Sequence, residues 1–237
     1  MIKVITSKDN PRVKYALSLK ESKVRKENHQ FLAESFKTLE MALATNLVRE
    51  VFALEWLELP EDVTLNLVSE DILKKLSSSK NPEGVVFIAD MKEKEDKKYN
   101  KILYLDEIND PGNLGTLIRT ALAFSYDAVI TSKNSVSFYN EKVIAASKGA
   151  IFKIDCFSDD LANYIDHDII VTTLAKDSIE LDELEVKEPF VLVLGNEAHG
   201  VSVNTLKLAK HKVIIPIKNI DSLNVAIAGA ILMYKIH

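Results

Sequence analysis

Short runs of apolar residues recur through the second part of the sequence, without the alternation of a half-exposed strand. They lie at residues 102–105, 128–131, 152–154, 169–174, 190–194 and 213–217. Strands without alternation are covered on both faces, which is typical of parallel sheets in α/β proteins. Helical patterns at 114–125 and 141–150 separate the first three runs. We therefore predict a parallel, doubly covered sheet, whose ligands bind beyond the carboxyl ends of the strands.

The first part of the chain alternates shorter patterns. Strands are predicted at 31–33, 48–54, 63–68 and 85–89, and helices at 11–21, 36–47 and 69–76. This alternation indicates a small α/β unit with a largely parallel or mixed sheet. Residues 91–100 are nearly all charged or polar and predict a linker. The predicted domains are therefore 1–95 and 96–237.

Composition excludes several classes of protein. The 237 residues are 47% hydrophobic, which suffices for a buried core. No apolar run approaches the roughly 18 residues of a membrane span, and the N-terminus lacks the apolar segment of a signal peptide. Cys156 is the only cysteine, so no disulfide forms within the chain, and zinc-type Cys/His spacing is absent. We expect a cytoplasmic protein without membrane contact or a metal site.

Charge is unevenly distributed. The formal net charge of −5 disfavours a nucleic-acid partner. Residues 1–30, however, contain eight Lys or Arg and three acids. This asymmetry indicates either a surface that faces a polyanion or the solvated side of a helix, and both interpretations stay open. The candidates for polyanion contact are Arg12, Lys14 and Arg25.

The first candidate site follows residues 102–105. Pro111 and Gly112 are preferred at the centre of a type II turn, and Asn113 can cap the helix that follows. Arg119 lies at the edge of the apolar stripe of that helix, where a guanidinium suits an anion such as phosphate. A strand, turn and helix also make a generic crossover, so this stretch alone does not define a site.

The second candidate site follows residues 190–194 and reads Gly195-Asn196-Glu197-Ala198-His199-Gly200. It is not a dinucleotide fingerprint, because Glu197 occupies the position of the middle glycine. The two glycines suggest backbone held close to a ligand. Glu197 either serves that ligand or forms a structural salt bridge with an arginine such as Arg119. His199 could be a general base, although an exposed loop histidine is the simpler interpretation.

The third candidate site follows residues 213–215. Pro216 ends the strand because it cannot donate to a sheet, and Ser222 is predicted to cap a helix at 223–233. This helix is apolar on every face except at Asn224, which predicts burial in a core or against a partner subunit. Asn224 either caps the helix with Ser222, or both face a ligand at the helix N-terminus.

Together the three sites resemble the signature motifs of the SpoU (TrmH-like) family of RNA 2′-O-ribose methyltransferases, in the knotted SPOUT class. The matching segments are Pro111-Gly112-Asn113-Leu114-Gly115 with Arg119, then Gly195 to Gly200, then Ile215-Pro216-Ile217 with Ser222-Leu223-Asn224-Val225. The resemblance covers residues 101–237. Residues 31–35 resemble, less closely, a segment of the family's ribosomal-protein-like RNA-binding domain. The departures are Ser35 for a glycine, Ala226 for a serine, and a shorter loop at 218–221 that lacks glycine.

The resemblance implies a trefoil-knotted C-terminal domain, a homodimer and the cofactor S-adenosyl-L-methionine. The residues it implies for cofactor binding are Leu174, Gly195, Ile215, Ile217, Leu223 and Asn224. Those it implies for catalysis are Arg119, Asn113, Glu197, Asn224 and Ser222. The implied reaction is methylation of a ribose 2′-hydroxyl in structured RNA, with rRNA preferred to tRNA as the substrate. Arg12, Lys14, Arg25 and Arg119 are then the candidates for RNA contact.

Two other functions compete with this one. A non-catalytic RNA-binding or ribosome-assembly protein could retain the fold, and the altered loop at 218–221 favours it weakly. The presence of Asn113, Arg119, Glu197 and Asn224 argues against it. A nicotinamide-dependent oxidoreductase is disfavoured because the glycine fingerprint is missing.

Overall fold

The computed structural model describes residues 2–175 and 177–236. The first elements are β1 (Ile2–Ile5), α1 (Pro11–Ser18), α2 (Ser22–Asn28), β2 (Gln30–Glu34), α3 (Phe36–Leu43), β3 (Val48–Ala53), β4 (Thr64–Val68), α4 (Glu70–Leu76) and β5 (Val85–Asp90). They are followed by β6 (Lys101–Leu105), α5 (Pro111–Ala123), β7 (Ala128–Thr131), α6 (Glu141–Ser147), β8 (Asp155–Ser158), β9 (Asp168–Thr172), β10 (Ile179–Glu180), β11 (Phe190–Leu194), α7 (Val203–Leu208), β12 (His211–Ile214) and α8 (Val225–Lys235).

The chain divides into two compact units. The first contains the residues up to Glu93 together with Tyr139–Lys153, and the second contains Lys94–Phe138 and the residues from Ile154 onward. The first segment of the first unit ends at Glu93, two residues before the end of the predicted domain 1–95. Helix α6, which the sequence placed in the second domain, belongs to the first unit. The domain division at 1–95 and 96–237 stays a prediction.

The first unit is built on a mixed five-stranded sheet of order β1-β4-β3-β5-β2. Strands β1 and β3 pair with β4 in parallel. Strand β5 pairs with both β3 and β2 in the antiparallel direction. The mixed sheet that the alternating patterns predicted is therefore present.

The core of the first unit explains one wrong strand assignment. The apolar run at 152–154 predicts a strand, but Phe152 closes a 3-10 turn at Ala150–Phe152, and the strand begins at Asp155. The Phe152 ring packs in the first unit, with its centroid 5.7 Å from that of Phe31 and 6.1 Å from that of Phe87. An apolar run that fills a core through a turn is not distinguishable from a short buried strand by pattern alone.

The second unit contains a seven-stranded sheet of order β10-β12-β9-β11-β6-β7-β8. Every pair in it is parallel. The central strands β6, β7 and β11 are buried along nearly their whole length. This is the doubly covered parallel sheet predicted from the uninterrupted apolar runs.

Other elements were missed or misplaced at the sequence level. The charged connection after α1 contains helix α2, and strands β1 and β10 and helix α7 were not predicted. Residues 91–100 lack regular structure, as expected of a linker. Part of this segment is nevertheless fixed to the second unit, because Lys97 pairs with Asp155 at 2.6 Å and the Tyr99 side chain is buried.

Candidate active site

Helix α5 begins directly after the turn that follows β6. Asp110 is its N-cap, and its Oδ1 accepts a hydrogen bond from the Asn113 backbone amide at 2.7 Å. Pro111 occupies the first helical position, where a fixed φ and a missing N–H cost nothing. The predicted type II turn at Pro111-Gly112 and the predicted cap at Asn113 are therefore wrong. Because Asp110 serves as the cap, the Asn113 side chain is available for another partner.

The loop after β11 is a tight hairpin. The backbones of Asn196 and Gly200 exchange two hydrogen bonds of 2.9 Å. A Cβ atom on Gly195 would lie 2.3 Å from the Gly200 carbonyl carbon, so no side chain fits there. The Asn196 side chain accepts from the Ala198 amide at 2.8 Å and donates to the Glu107 carbonyl at 2.8 Å. Glu197 is thus carried on a loop that its own backbone holds rigid.

Helix α8 begins two residues later than predicted. Asn224, not Ser222, is the N-cap, and its Oδ1 accepts from the amides of Ala226 at 2.9 Å and Ile227 at 3.3 Å. Ser222 is exposed in the preceding loop. The capping interpretation of Asn224 is therefore correct for the carbonyl half of its amide, while the NH₂ half points to a second partner.

A chain of hydrogen bonds joins the three motifs. Asn224 Nδ2 donates to Asn113 Oδ1 at 3.0 Å, and Asn113 Nδ2 donates to Glu197 Oε1 at 2.8 Å. Each partner along this chain requires one orientation of the amide, so both amides are fixed by their neighbours. The structure thus connects three residues that are widely separated in the sequence.

The position of this chain in the sheet is significant. Asn113 follows β6 and Glu197 follows β11, and these two strands are neighbours. From β6 the chain builds the sheet in one direction through β7 and β8, and the later strands lie on the other side. In open α/β sheets, ligands bind at such a reversal of strand order, outside the carboxyl ends of the strands. The hydrogen-bonded chain therefore lies where a ligand is expected.

Arg119 does not form a structural salt bridge with Glu197, which instead accepts from Asn113. Its side chain is exposed, and within residues 2–175 and 177–236 the structure gives it no hydrogen bond or ion pair. A solvent-exposed guanidinium with five free donors is available for a planar anion. His199 is likewise exposed on the hairpin.

The cofactor candidates surround the same edge. Leu174 follows β9, and Ile215, Ile217 and Leu223 follow β12. Leu174 is 67% exposed, and Ile220 in the loop before α8 is 63% exposed. Large exposed apolar side chains on loops that follow the strands are typical of a binding surface for an apolar group.

Asp106 supports the site, although the sequence motifs do not include it. Its carboxylate is buried and accepts from the Ser202 amide at 2.8 Å and from Thr205 Oγ1 at 2.7 Å. These contacts bind the end of β6 to the start of α7, directly after the Glu197 hairpin. An acid immediately after a buried strand was the available signal, because a carboxylate there needs a partner.

Two of the basic residues proposed for RNA contact, Arg12 and Lys14, form ion pairs within the first unit. Arg12 forms a bidentate ion pair with the buried carboxylate of Glu50, with a shortest distance of 2.6 Å, and these hydrogen bonds raise the pKa of the Arg12 guanidinium. Lys14 is well exposed but pairs with Asp9 at 2.9 Å. The positive charge of residues 1–30 is therefore neutralised in part, by Asp9 within this stretch and by Glu50 from β3.

Arg25 has a different environment. It is 7% exposed, and its Nη1 donates to the carbonyl oxygens of Leu19 at 3.0 Å and Lys20 at 2.7 Å. Burial lowers the pKa of this guanidinium. Arg25 thus closes the turn between α1 and α2, and its guanidinium does not face solvent.

One face of α8 is apolar and open. Val225, Leu232 and Met233 are buried, whereas Ile227 is 54% and Ile231 38% exposed. The helix is therefore not buried on every side within one chain. Among the described residues, no helix is long and apolar enough to cross a membrane, and no cluster of three or more His, Cys, Asp or Glu could hold a metal ion.

Two family profiles match the chain. That of the SpoU rRNA Methylase family matches residues 100–234, and that of the MRM3-like substrate binding domain matches residues 10–87. The 23S rRNA (guanosine(2553)-2'-O)-methyltransferase RlmP of Bacillus subtilis is 30% identical over 246 residues, which cover 99% of each chain.

Solved structures agree with these matches. The AdoMet-bound rRNA methyltransferase from Sinorhizobium meliloti superimposes with a TM-score of 0.87 at 26% identity, covering 99% of this chain and 97% of that one. An RNA 2'-O ribose methyltransferase superimposes with a TM-score of 0.82 at 30% identity, covering 98% and 97% of the two chains.

Proposed function

We propose, because this chain belongs to the SpoU rRNA methylase family, that it transfers a methyl group from S-adenosyl-L-methionine to a ribose 2′-hydroxyl of rRNA. The observation that carries this proposal is the chain of hydrogen bonds from Asn224 through Asn113 to Glu197. Within residues 2–175 and 177–236, Arg119 has no partner and is exposed. A relative that is similar over its whole length is named as an enzyme with this activity. The alternative of a non-catalytic RNA-binding protein is not favoured.

The cofactor would be held by the loops that follow β9, β11 and β12. Leu174, Ile215, Ile217 and Leu223 would cover its apolar parts, and backbone near Gly195 would approach it closely. When bound, S-adenosyl-L-methionine supplies a methyl group on a sulfonium that leaves as a neutral thioether. The protein must therefore align the acceptor oxygen and manage one proton.

Arg119 would act as a clamp on the RNA. A guanidinium stays protonated at neutral pH, which makes it a poor base and a good bidentate partner for phosphate. Its exposed position, without a partner in the part of the chain that the structure describes, is consistent with this role. From a phosphate next to the target ribose, it would also polarise the 2′-oxygen.

Asn113 and Glu197 would fix the ribose. The carboxylate of Glu197 accepts from Asn113 through Oε1, so its other oxygen can accept from a ribose hydroxyl. Asn224 holds Asn113 in this orientation from the cap of α8. Ser222, exposed in the loop before the cap, would shape the cofactor-binding loop.

The apolar face of α8 would form a homodimer interface. Ile227 and Ile231 on this face are exposed in the single chain, and exposed apolar side chains on one helix face indicate a partner.

A trefoil knot is supported by the order of the sheet. Strands β9 and β10 are consecutive in the sequence, but the later strand β12 lies between them in the sheet. The first unit would bind the RNA substrate, and the cytoplasm is the expected location.

The test is incubation of the purified protein with labelled S-adenosyl-L-methionine and total RNA from a strain that lacks the gene. Nuclease digestion and nucleoside analysis then identify the product. A labelled 2′-O-methyl nucleoside in rRNA is the expected result. A labelled base would overturn the acceptor, and the absence of both label and cofactor binding by calorimetry would return the non-catalytic alternative.

A further inference from the structure

The first unit contains a cleft of about 310 Å³ that the proposed reaction does not use. It is lined by the end of β2, the serine-rich loop after α4, and one face of α6. The residues that matter for its chemistry are Glu34, Ser78, Glu83, Glu141, Lys142 and Lys148. A volume of this size is at the lower end of the range for small-molecule pockets.

The carboxylates of the cleft are held by serines. Ser77 Oγ donates to Glu34 Oε2, and Ser78 Oγ donates to Glu141 Oε2 at 2.6 Å. Each carboxylate uses one oxygen for its serine, and the other oxygen remains able to accept. These acceptors are fixed in place and would repel a phosphate.

Two lysines of the cleft carry the opposite charge, namely Lys142 in α6 and Lys148, the C-cap residue of that helix. Lys142 and Lys148 are exposed, and the described part of the chain provides neither side chain with an ion pair. They line the same cleft as the acids. The cleft therefore presents fixed acceptors and free cations together.

An apolar edge adjoins the cleft. Phe36 and Leu54 are 46% and 38% exposed. Both side chains face Gly84, since a Cβ atom placed there would lie 3.8 Å from each. Phe36 follows Ser35 and Gly84 follows Glu83, so the segments that line the cleft also carry this edge. Exposed aromatic rings beside hydrogen-bonding groups are typical of surfaces that bind unpaired RNA bases.

We propose that this cleft binds one unpaired nucleotide of the RNA substrate. Glu34 and Glu141 accept from the amino group of its base, and Lys142 and Lys148 hold its phosphate. A carboxylate is the side chain that accepts from an exocyclic amino group, so bases that carry one are bound in preference to uracil. A neighbouring base stacks on Phe36. The proposal rests on the proposed function for the identity of the ligand as RNA.

Ala145→Phe is the decisive variant. Ala145 lines the cleft from an exposed position on α6, so a phenyl ring there fills the cleft without disturbing the core. Binding of fluorescently labelled UUGUU and UUUUU is measured by anisotropy, with thermal melting as the test of folding. The wild type is expected to bind UUGUU about fivefold more tightly than UUUUU. Ala145→Phe is expected to weaken binding of UUGUU about fivefold, to the level at which the wild type binds UUUUU.

Charge is tested separately. The double variant Lys142→Gln/Lys148→Gln is expected to weaken binding of both oligonucleotides about tenfold at low salt, because it removes two phosphate contacts. Lys153→Gln, an exposed lysine of the same segment outside the cleft, is the matched control and is expected to leave binding unchanged.

The outcomes separate this inference from the proposed function. Unchanged binding of UUGUU by folded Ala145→Phe would overturn the cleft, even if the wild type methylates RNA. Loss of binding in that variant would support the cleft, even if the wild type methylates no RNA and the proposed function fails. Equal affinity of the wild type for the two oligonucleotides would overturn the base preference.

Discussion

Asn113 donates a hydrogen bond of 2.8 Å to Glu197, a residue 84 positions later in the chain. The pair connects the first turn of α5 to the hairpin after β11, across the point where the order of strands reverses. Asn113 Oδ1 in turn accepts from Asn224. A single amide therefore aligns the other two motifs of the site.

Asn113→Ala is expected to lower the rate of methyl transfer by about 100-fold, because misplacement of a catalytic group by about 1 Å costs that much. Asn113 lies on a capped helix near the surface, so the melting temperature should change little. Single-turnover methyl transfer to rRNA is the measurement. Asn134→Ala, which removes an exposed asparagine bonded to Glu107, is the matched control. A rate within threefold of the wild type would contradict the role of Asn113.

Some of this site could be predicted from the sequence. The apolar run at 190–194 is strand β11 with the same bounds, because an uninterrupted buried strand leaves few alternatives. The three motifs were placed at the ends of strands, and parallel strands bring those ends to one edge.

Other features of the site and of the first unit could not be predicted, because a single stretch of sequence does not show which partners a side chain finds. Asn113 could cap α5 as well as Asp110 does by residue type, but Glu197 and Asn224 give its amide another use. The charged sequence around Arg25 predicts an exposed cation, but in the structure its guanidinium donates to the carbonyl groups of Leu19 and Lys20. Partners distant in sequence or outside the local pattern decided both cases.

Arg119→Lys tests the clamp. Lysine keeps the charge but loses the bidentate fork, so the rate of methyl transfer is expected to fall about 100-fold, as for loss of an oriented donor. Cofactor affinity, measured by calorimetry, should stay within twofold. Arg49→Lys, at an exposed arginine paired with Asp90 in the first unit, controls for the substitution itself. Substantial activity of Arg119→Lys would exclude bidentate recognition.

Gly195→Ala and Gly200→Ala separate two reasons for a glycine in one hairpin. At Gly195 a Cβ atom would lie 2.3 Å from the backbone of Gly200, and such overpacking is expected to cost about 3 kcal/mol of unfolding free energy. At Gly200, with φ of 69°, nothing lies within 4 Å, and the left-handed conformation alone costs about 1 kcal/mol. Urea unfolding measures both. Equal costs would contradict this account of the hairpin.

Arg25→Met and Lys14→Gln distinguish a structural cation from one that contacts RNA. Arg25→Met leaves two buried carbonyl groups unsatisfied, so it is expected to destabilise the first unit by about 2 kcal/mol. It should not change RNA affinity once the protein is folded. Lys14→Gln should leave stability unchanged and weaken RNA binding about twofold at low salt. The measurements are urea unfolding and anisotropy, and the reverse pattern would restore Arg25 as an RNA contact.

Asp159 gives the second unit a pH-dependent stability. Burial raises the pKa of its carboxyl group, but hydrogen bonds from Lys94, the Asp160 amide, Tyr164 and Asn163 outweigh burial and lower it overall. A carboxylate whose pKa is lowered by folding stabilises the protein above its unfolded pKa of about 3.9, and this contribution is lost as the pH falls through the folded pKa. Asp159→Asn should therefore reduce the unfolding free energy by about 1 kcal/mol at pH 7.

The difference in unfolding free energy between the wild type and Asp159→Asn should shrink as the pH falls below 4. A protonated carboxyl group is neutral, so it gains little more from Lys94 than the asparagine amide does. Urea unfolding at a series of pH values measures it. Asp166→Asn, at an exposed acid with no partner among the described residues, should show no such dependence. A difference for Asp159→Asn that is constant from pH 7 to pH 3 would mean that its hydrogen bonds do not favour the charged form.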